Sequence, residues 1–134
     1  MNLNMSKEYI SKNIVLIGMS GSGKTVVGQF LSKKLNMKLI DTDDIIVLNS
    51  KKTIPYIFSQ YGEKKFRDLE SKVIDDLSSE TGIIISTGGG VVLNKKNIYL
   101  LKKKGVLFFL KANMDTLVKN IESSSQTHRD RKSV

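Results

Sequence analysis

The residues most able to do chemistry lie near the N-terminus, in the run Gly18-Met19-Ser20-Gly21-Ser22-Gly23-Lys24-Thr25. This run matches the Walker A pattern in full. Its glycines let successive backbone N–H groups point inward at a polyphosphate. In such loops the lysine reaches the β- and γ-phosphates and the last hydroxyl holds Mg²⁺. The predicted nucleotide-binding residues are Gly18, Ser20, Gly21, Ser22, Gly23, Lys24 and Thr25. The pattern is shared by GTPases, ATPases, nucleoside kinases and small-metabolite kinases.

Two carboxylates follow the second predicted strand, in Asp41-Thr42-Asp43. Ligands of parallel sheets sit beyond the carboxyl ends of the strands, so both carboxylates should face the phosphate loop. One of them would help to hold Mg²⁺ through water, and the other would accept hydrogen bonds from a substrate hydroxyl. The alternative is a helix cap, because Asp43 and Asp44 precede a predicted helix. A cap needs only one acidic residue, so we favour a functional role for the pair.

A third candidate is Arg67, which lies beside the apolar stripe of a predicted helix with Glu70 one turn further on. An arginine at the edge of a buried face, oriented by a carboxylate, suits an anionic substrate. Taken alone, the pair is explained as well by a surface ion pair of little energetic value.

Three consecutive glycines, Gly88, Gly89 and Gly90, come directly after the third predicted strand. Their lack of side chains would let backbone amides approach a ligand closely. The alternative is a hinge or simple turn. The position at the carboxyl end of a strand favours a substrate-binding loop.

Short apolar strands alternate with amphipathic helices along the chain, which predicts an α/β fold with a parallel sheet covered on both faces. The predicted strands are 13–17, 37–41, 83–86 and 106–110. We expect the first and the fourth to be buried, and the third is apolar in its middle. The predicted helices are 24–35, 43–48, 53–77, 97–104 and 113–122. We expect Thr53 to cap the third helix, Gly82 to end it, and 87–90 to form a loop.

Composition narrows the class of protein further. The chain has 134 residues, no cysteine, and a net charge of +9 from 22 Lys and Arg against 13 Asp and Glu. The absence of cysteine excludes disulfides and thiolate metal sites. Only three of the basic residues are arginines, and the lysines are scattered without interleaved aromatic residues, so we predict no nucleic-acid partner. No apolar run is long enough for a bilayer, so we also predict no membrane association, and we expect a cytoplasmic protein.

Together the Walker A loop, Asp41-Thr42-Asp43, Phe66-Arg67-Asp68-Leu69-Glu70 and Gly88-Gly89-Gly90 resemble the motifs of shikimate kinases, in the same order and at similar spacing. The resemblance implies transfer of the γ-phosphoryl group of ATP to the 3-hydroxyl of shikimate in aromatic amino-acid biosynthesis, with Mg²⁺. It implies that Asp43 binds the ring hydroxyls and accepts the proton, and that Asp41 supports Mg²⁺ with Thr25. It also implies that Arg67 pairs with the shikimate carboxylate, and that Gly88–Gly90 line the pocket.

The same resemblance implies a lid arginine that closes on the phosphates. Arg129 or Arg131 could serve, and we predict Arg129 as a catalytic residue together with Lys24 and Asp43. We expect a polar extension over 1–12, a P-loop kinase core over 13–122, and a lid-like or disordered tail over 123–134. The family continues past its lid, so we expect the final strand and helix to be missing. A full-length chain should be a monomer, and a truncated one should self-associate.

Two alternative functions remain open from the sequence. One is a truncated, non-catalytic nucleotide-binding remnant. The other is a kinase for another small hydroxylated metabolite. Turnover tested with shikimate and with other acceptors would discriminate between them.

Overall fold

The computed structural model describes residues 12–19 and 23–110. Its strands are β1 (Asn13–Ile17), β2 (Lys38–Asp41), β3 (Ile83–Thr87) and β4 (Gly105–Phe109). Its α-helices are α1 (Lys24–Leu35), α2 (Thr42–Ser50), α3 (Ile54–Leu77) and α4 (Lys95–Lys103), and a 3₁₀ helix spans Gly89–Leu93. The strands and helices of this part of the chain confirm the predicted alternation. The predicted helix 113–122 lies outside the described residues.

The strands form one parallel sheet in the order β2-β3-β1-β4. The register pairs Ile17 with Thr87 and Asp41 with Ser86. The carboxyl ends of β1, β2 and β3 therefore meet at one edge of the sheet, as parallel pairing requires. Each of these strands is followed by one of the predicted functional segments, so the topology brings those segments together.

Helices cover both faces of the sheet, which confirms the predicted layering. On one face Val15, Ile17 and Ile85 belong to a buried cluster with residues of α2, α3 and α4. On the other face Leu16 and Ile84 pack with residues of α1. Alternate side chains of a strand point to opposite faces, so the continuous apolar runs of β1 and β3 supply both clusters. None of the described helices has the length and apolarity needed to cross a membrane.

Helix α3 begins where the sequence predicts and departs from the prediction in its interior. Thr53 is its N-cap, and the Thr53 hydroxyl accepts a hydrogen bond from the N–H of Tyr56 at 3.2 Å. The prediction of one uninterrupted helix is wrong at Gly62, whose φ of 87° and ψ of 169° break the helix in two. Ser78, and not Gly82, caps its C-terminus. Gly82 instead takes a φ of 73° in the turn before β3.

Three local expectations also need correction. Residues 87–90 do not form a loop throughout. Thr87 is the last residue of β3, and the 3₁₀ helix begins at Gly89. Helix α4 begins at Lys95, because the Asn94 side chain accepts a hydrogen bond from the N–H of Lys96. Strand β4 was expected to be buried, yet Phe108 is 48% exposed. Among the described residues β4 has a neighbour on one side only, and this explains the exposure.

Candidate active site

The N-terminus of α1 has the features of an anion-binding site. Gly23 precedes the helix with a φ of 94°, a left-handed conformation that favours glycine. No side chain of the residues that the structure describes caps this end of α1, and its first turn holds no acidic residue. The first N–H groups of the helix are therefore available to a phosphate, and the helix dipole favours negative charge there. Lys24 is half-buried and Thr25 is exposed at this end.

Two further residues of the phosphate loop are described, Gly18 and Met19, whereas Ser20, Gly21 and Ser22 lie outside the described residues. The N–H of Gly18 donates a hydrogen bond to the carbonyl of Thr87 at 3.4 Å. This bond joins the start of the phosphate loop to the end of β3. The phosphate loop and the glycine segment that follows Thr87 are thus held side by side.

Asp41 has a structural task at the end of β2. Its Oδ1 accepts a hydrogen bond from the N–H of Asp43 at 2.8 Å, which makes Asp41 the N-cap of α2. The alternative of a helix cap at Asp43 or Asp44 is wrong, because those residues lie in the first turn of the helix. The cap uses one carboxylate oxygen of Asp41 and leaves Asp43 half-buried with its carboxylate outside the capping interaction.

The pKa of Asp43 is affected by several neighbouring charges. Burial raises the pKa of Asp43 above its ordinary value of 3.8, and the neighbouring charge of Asp41 raises it further. The charges of Lys24 and Arg67 act in the opposite direction on the same pKa. Interactions between solvent-exposed charges are largely screened beyond about 8–10 Å at physiological ionic strength. The fold therefore brings a carboxylate from α2, a lysine from α1 and an arginine from α3 within mutual influence.

Arg67 is held on three sides. Its Nη1 donates a hydrogen bond to Glu70 Oε1 at 3.1 Å. Its Nε lies 3.5 Å from Glu63 Oε2, close enough for an ion pair though not in hydrogen-bond geometry. The guanidinium carbon lies 5.1 Å from the centre of the Phe66 ring, within the range of a cation–π contact. The Arg67 side chain is 30% exposed, so the guanidinium is anchored and still reachable by a ligand.

Glu70 is the buried partner in this arrangement, since its side chain is only 1% exposed. Burial raises the pKa of Glu70 above its ordinary value of 4.5, and the hydrogen bond from Arg67 and its charge lower it in part. The pairing of Arg67 with Glu70 was predicted from the sequence, whereas the contact of Arg67 with Glu63 was not. The spacing of four residues between Glu63 and Arg67 was the available signal.

The three glycines after β3 have different surroundings. A β-carbon at Gly88 would meet nothing within 4 Å. A β-carbon at Gly89 would lie 3.1 Å from Cγ of Met19, in the phosphate loop. A β-carbon at Gly90 would overlap the guanidinium of Arg67. The glycine segment thus lies between the phosphate loop and Arg67.

A cavity of about 360 Å³ opens beside the guanidinium, between α3 and the segment that leads into α4. The side chains of Arg67 and Glu70 line it together with Gly90 and Asn97. Asn97 is 1% exposed; its amide donates to the carbonyl of Val91 at 3.2 Å, which ties α4 to the 3₁₀ helix. The cavity gives water-sized molecules access to the guanidinium of Arg67.

The predicted site residues are therefore distributed as follows. The structure brings Lys24, Asp43 and Arg67 into one electrostatic neighbourhood, with Asp41 capping the helix of Asp43. Gly89 lies against Met19 of the phosphate loop, and Gly90 lies against Arg67. Arg129, the expected lid arginine, lies outside the described residues.

The donor set at this edge suits Mg²⁺ held jointly with a nucleotide. Within 12–19 and 23–110 no group of three or more His, Asp or Glu residues could enclose a metal ion. Mg²⁺ normally takes one or two protein carboxylates and completes its shell with waters and substrate phosphates. The mutual repulsion of Asp41 and Asp43, which raises the pKa of Asp43, is what a nearby cation would relieve. A hydroxyl at Thr25 and a carboxylate at Asp41 fit this mode of binding.

Comparison with known proteins gives a consistent result. A family model described as shikimate kinase matches residues 20–133. A shikimate kinase of Caldicellulosiruptor saccharolyticus is 47% identical over 114 residues, which cover 85% of this chain and 66% of the relative. One from Clostridium botulinum is 48% identical over 110 residues, covering 82% of this chain and 65% of the relative. The chain thus spans about two thirds of the length of these curated relatives.

Solved structures give the same picture. The shikimate kinase of Acinetobacter baumannii in complex with shikimate superposes with a TM-score of 0.75 at 33% identity, covering 95% of this chain and 68% of that one. The Aquifex aeolicus enzyme superposes with a TM-score of 0.68 at 40% identity, covering 72% of this chain and 58% of that one.

Proposed function

The chain belongs to the shikimate kinase family, and from that membership we propose that the protein phosphorylates the 3-hydroxyl of shikimate with ATP. The observation that carries the proposal is the common electrostatic neighbourhood of Asp43, Lys24 and Arg67. A kinase for a hydroxylated carboxylic acid needs a proton acceptor for the hydroxyl, a cation for the phosphates and a cation for the carboxylate. Asp43 would accept the proton, Lys24 would bind the phosphates and Arg67 would bind the carboxylate.

In the proposed reaction the substrate carboxylate binds Arg67, whose planar guanidinium suits a carboxylate. The 3-hydroxyl oxygen attacks the γ-phosphorus of ATP. The bond between the γ-phosphorus and the β,γ-bridging oxygen breaks, and ADP leaves. The hydroxyl proton passes to the Asp43 carboxylate. A raised pKa makes this carboxylate a better proton acceptor near neutral pH.

Phosphate binding is assigned to the N-terminus of α1, to Lys24 and to the glycine-rich loop of Gly18, Ser20, Gly21, Ser22 and Gly23. The free N–H groups at the start of α1 support this assignment. Thr25 and Asp41 would hold Mg²⁺. When bound, the ion neutralises charge on the β- and γ-phosphates. Gly88, Gly89 and Gly90 would line the acceptor pocket, and Arg129 would close on the phosphates from the segment over 123–134.

A coupled ADP-release assay tests the proposal. The chain, supplied with Mg·ATP, should turn over shikimate and should not turn over nucleosides or other hydroxylated acids at comparable rates. Arg67→Ala should lower shikimate affinity about 10-fold or more, the loss of a charge-assisted hydrogen bond, with ATP affinity retained. Asp43→Asn should chiefly lower kcat, by about 10²–10⁴-fold.

The alternatives give other outcomes. ATP binding without turnover of any acceptor would select a non-catalytic remnant. Faster turnover of a different hydroxylated acceptor would select another metabolite kinase. If Arg67→Ala and Asp43→Asn both matched the parent chain with shikimate, the assignment of this site would be wrong.

A further inference from the structure

Gly90 and Arg67 occupy adjoining space at the end of the glycine segment. A β-carbon built on Gly90 would lie 2.5 Å from both Cζ and Nη2 of Arg67, and closer still to Nη1. Carbon atoms in proteins do not approach each other so closely without displacement. Any side chain at position 90 must therefore move the guanidinium.

Backbone conformation does not explain the glycine. Among the described glycines only Gly23, Gly62 and Gly82 have a positive φ, so residue 90 takes a backbone conformation open to alanine. The neighbouring Gly88 would accept a β-carbon with nothing within 4 Å. Position 90 therefore requires a residue without a side chain, because the Arg67 guanidinium occupies the space that a side chain would fill.

The guanidinium has few ways to yield. Its Nη1 is bonded to the buried carboxylate of Glu70, and its Nε faces Glu63. The Phe66 ring lies 5.1 Å from its central carbon. A methyl group at position 90 would have to bend the Glu70 contact or push the guanidinium toward the adjoining cavity. The direction in which Arg67 presents its free edge would change.

We propose that Gly90 is a positioning residue, which fixes the orientation of Arg67 by leaving space for its guanidinium and thereby sets recognition of the acceptor carboxylate. The functional part rests on the proposed kinase activity, since Arg67 is assigned there to the carboxylate. The contact between Gly90 and Arg67 does not depend on that assignment. Gly90 therefore acts on the acceptor through Arg67 and not through its own backbone N–H.

A stability cycle on the full chain tests the contact without any need for activity. Gly90→Ala should lower the melting temperature, and Gly88→Ala, the matched control for stability, should leave it nearly unchanged. In an Arg67→Ala background the guanidinium is absent, so Gly90→Ala should lower the melting temperature much less. Equal effects of Gly90→Ala in both backgrounds would overturn the proposal.

Kinetics test the functional part. Gly90→Ala should raise KM for shikimate about tenfold, on the scale of a lost charge-assisted hydrogen bond, with KM for ATP unchanged. With shikimate methyl ester, which lacks the carboxylate charge, Gly90→Ala should have little effect on kcat/KM. Equal losses for acid and ester would mean that Gly90 contacts the ring directly, and would overturn the positioning role. If the parent chain does not use shikimate, the proposed function fails and the stability cycle still decides the contact.

Discussion

Asp41 caps the helix that carries Asp43, because its Oδ1 accepts a 2.8 Å hydrogen bond from the backbone N–H of Asp43. The same carboxylate is assigned to Mg²⁺ in the proposed function. Its two oxygens allow both tasks at once. One oxygen belongs to the helix, and the other is free to face a water of the ion's shell. This double use makes the two tasks separable by substitution.

Asp41→Ala should lower the free energy of unfolding by about 0.5–2 kcal/mol, the usual cost of a lost N-cap. Asp41→Asn keeps a side-chain oxygen for the cap, so its stability should stay close to that of the parent. It removes the charge, and the Mg²⁺ concentration for half-maximal turnover should rise. Urea unfolding and a Mg²⁺ titration measure the two effects. Asp44→Ala, at an exposed position in the first turn, is the control. If Asp41→Asn reaches half-maximal turnover at the same Mg²⁺ concentration as the parent, Asp41 caps the helix and has no role in metal binding.

Lys24→Ala should weaken binding of Mg·ATP about tenfold or more, because it removes a charge-assisted contact with the phosphates. The fold should be retained, since a lysine at a helix N-terminus opposes the helix dipole and contributes little to stability there. Isothermal titration calorimetry measures the affinity. The matched control is Lys34→Ala, in the exposed last turn of the same helix. Equal affinities of both variants and the parent would contradict the nucleotide site.

Arg67→Ala should destabilise the chain by about 1–3 kcal/mol at neutral pH, because it leaves the Glu70 carboxylate buried and unpaired. The pKa of Glu70 is already raised above 4.5 by burial, and loss of Arg67 should raise it further. Across the interval from 4.5 to the raised value the folded state binds more protons than the unfolded state. Its stability therefore falls as pH rises through that interval.

The difference between Arg67→Ala and the parent should accordingly be small at pH 4 and should grow toward pH 7. Denaturant unfolding at several pH values measures it. In the double variant Arg67→Ala/Glu70→Gln the buried group is neutral, so this pH dependence should disappear. A destabilisation that is independent of pH would show that the Phe66 contact, and not the Glu70 charge, accounts for the effect of Arg67.

Much of the fold follows from the sequence because local signals and tertiary packing agree. The bounds of β1 and α1 match the prediction, since each begins or ends at a glycine or a polar residue and carries a clear apolar pattern. The parallel order of the sheet places the functional segments at one edge without further information. Charged side chains that follow strands were therefore identifiable as site candidates.

Other features depend on atoms that sequence patterns do not position. The spacing of Asp41 and Asp43 is compatible with either residue as the helix cap, and only the backbone path assigns the cap to Asp41. The three glycines look alike in the sequence, yet Gly89 faces Met19 and Gly90 faces Arg67. Such differences arise from tertiary contacts between segments far apart in the chain.

Asn13 should be important for stability, because its side chain joins β1 to the segment that enters β3. Its amide donates to the carbonyl of Glu80 at 2.8 Å and its Oδ1 accepts from the N–H of Ile83 at 3.1 Å. The residue is 2% exposed. Asn13→Ala leaves two backbone groups without these partners and should cost about 1–3 kcal/mol. Chemical denaturation measures this, with Asn49→Ala at an exposed position of α2 as the control. Equal stability of the two variants would mean that water replaces the amide.

Gly62 sets the direction of the helical segment that carries Arg67, and its substitution gives the last prediction. Its φ of 87° and ψ of 169° lie in a region that is essentially restricted to glycine. A β-carbon there would meet nothing within 4 Å, so the cost of Gly62→Ala is one of backbone strain, about 1–3 kcal/mol. Gly88→Ala also adds a methyl group in open space, but at a φ of −76°, and should cost little stability. Comparing Gly62→Ala with Gly88→Ala separates the cost of the backbone conformation from the effect of the added methyl group.

If alanine instead let α3 run straight through position 62, stability would be retained and the ellipticity at 222 nm would increase. Arg67 and Glu70 lie on the same helical segment after the break, so they would move together away from Gly90, and shikimate binding would be lost. Thermal unfolding and circular dichroism of the two variants distinguish strain at a fixed break from a helix that simply straightens.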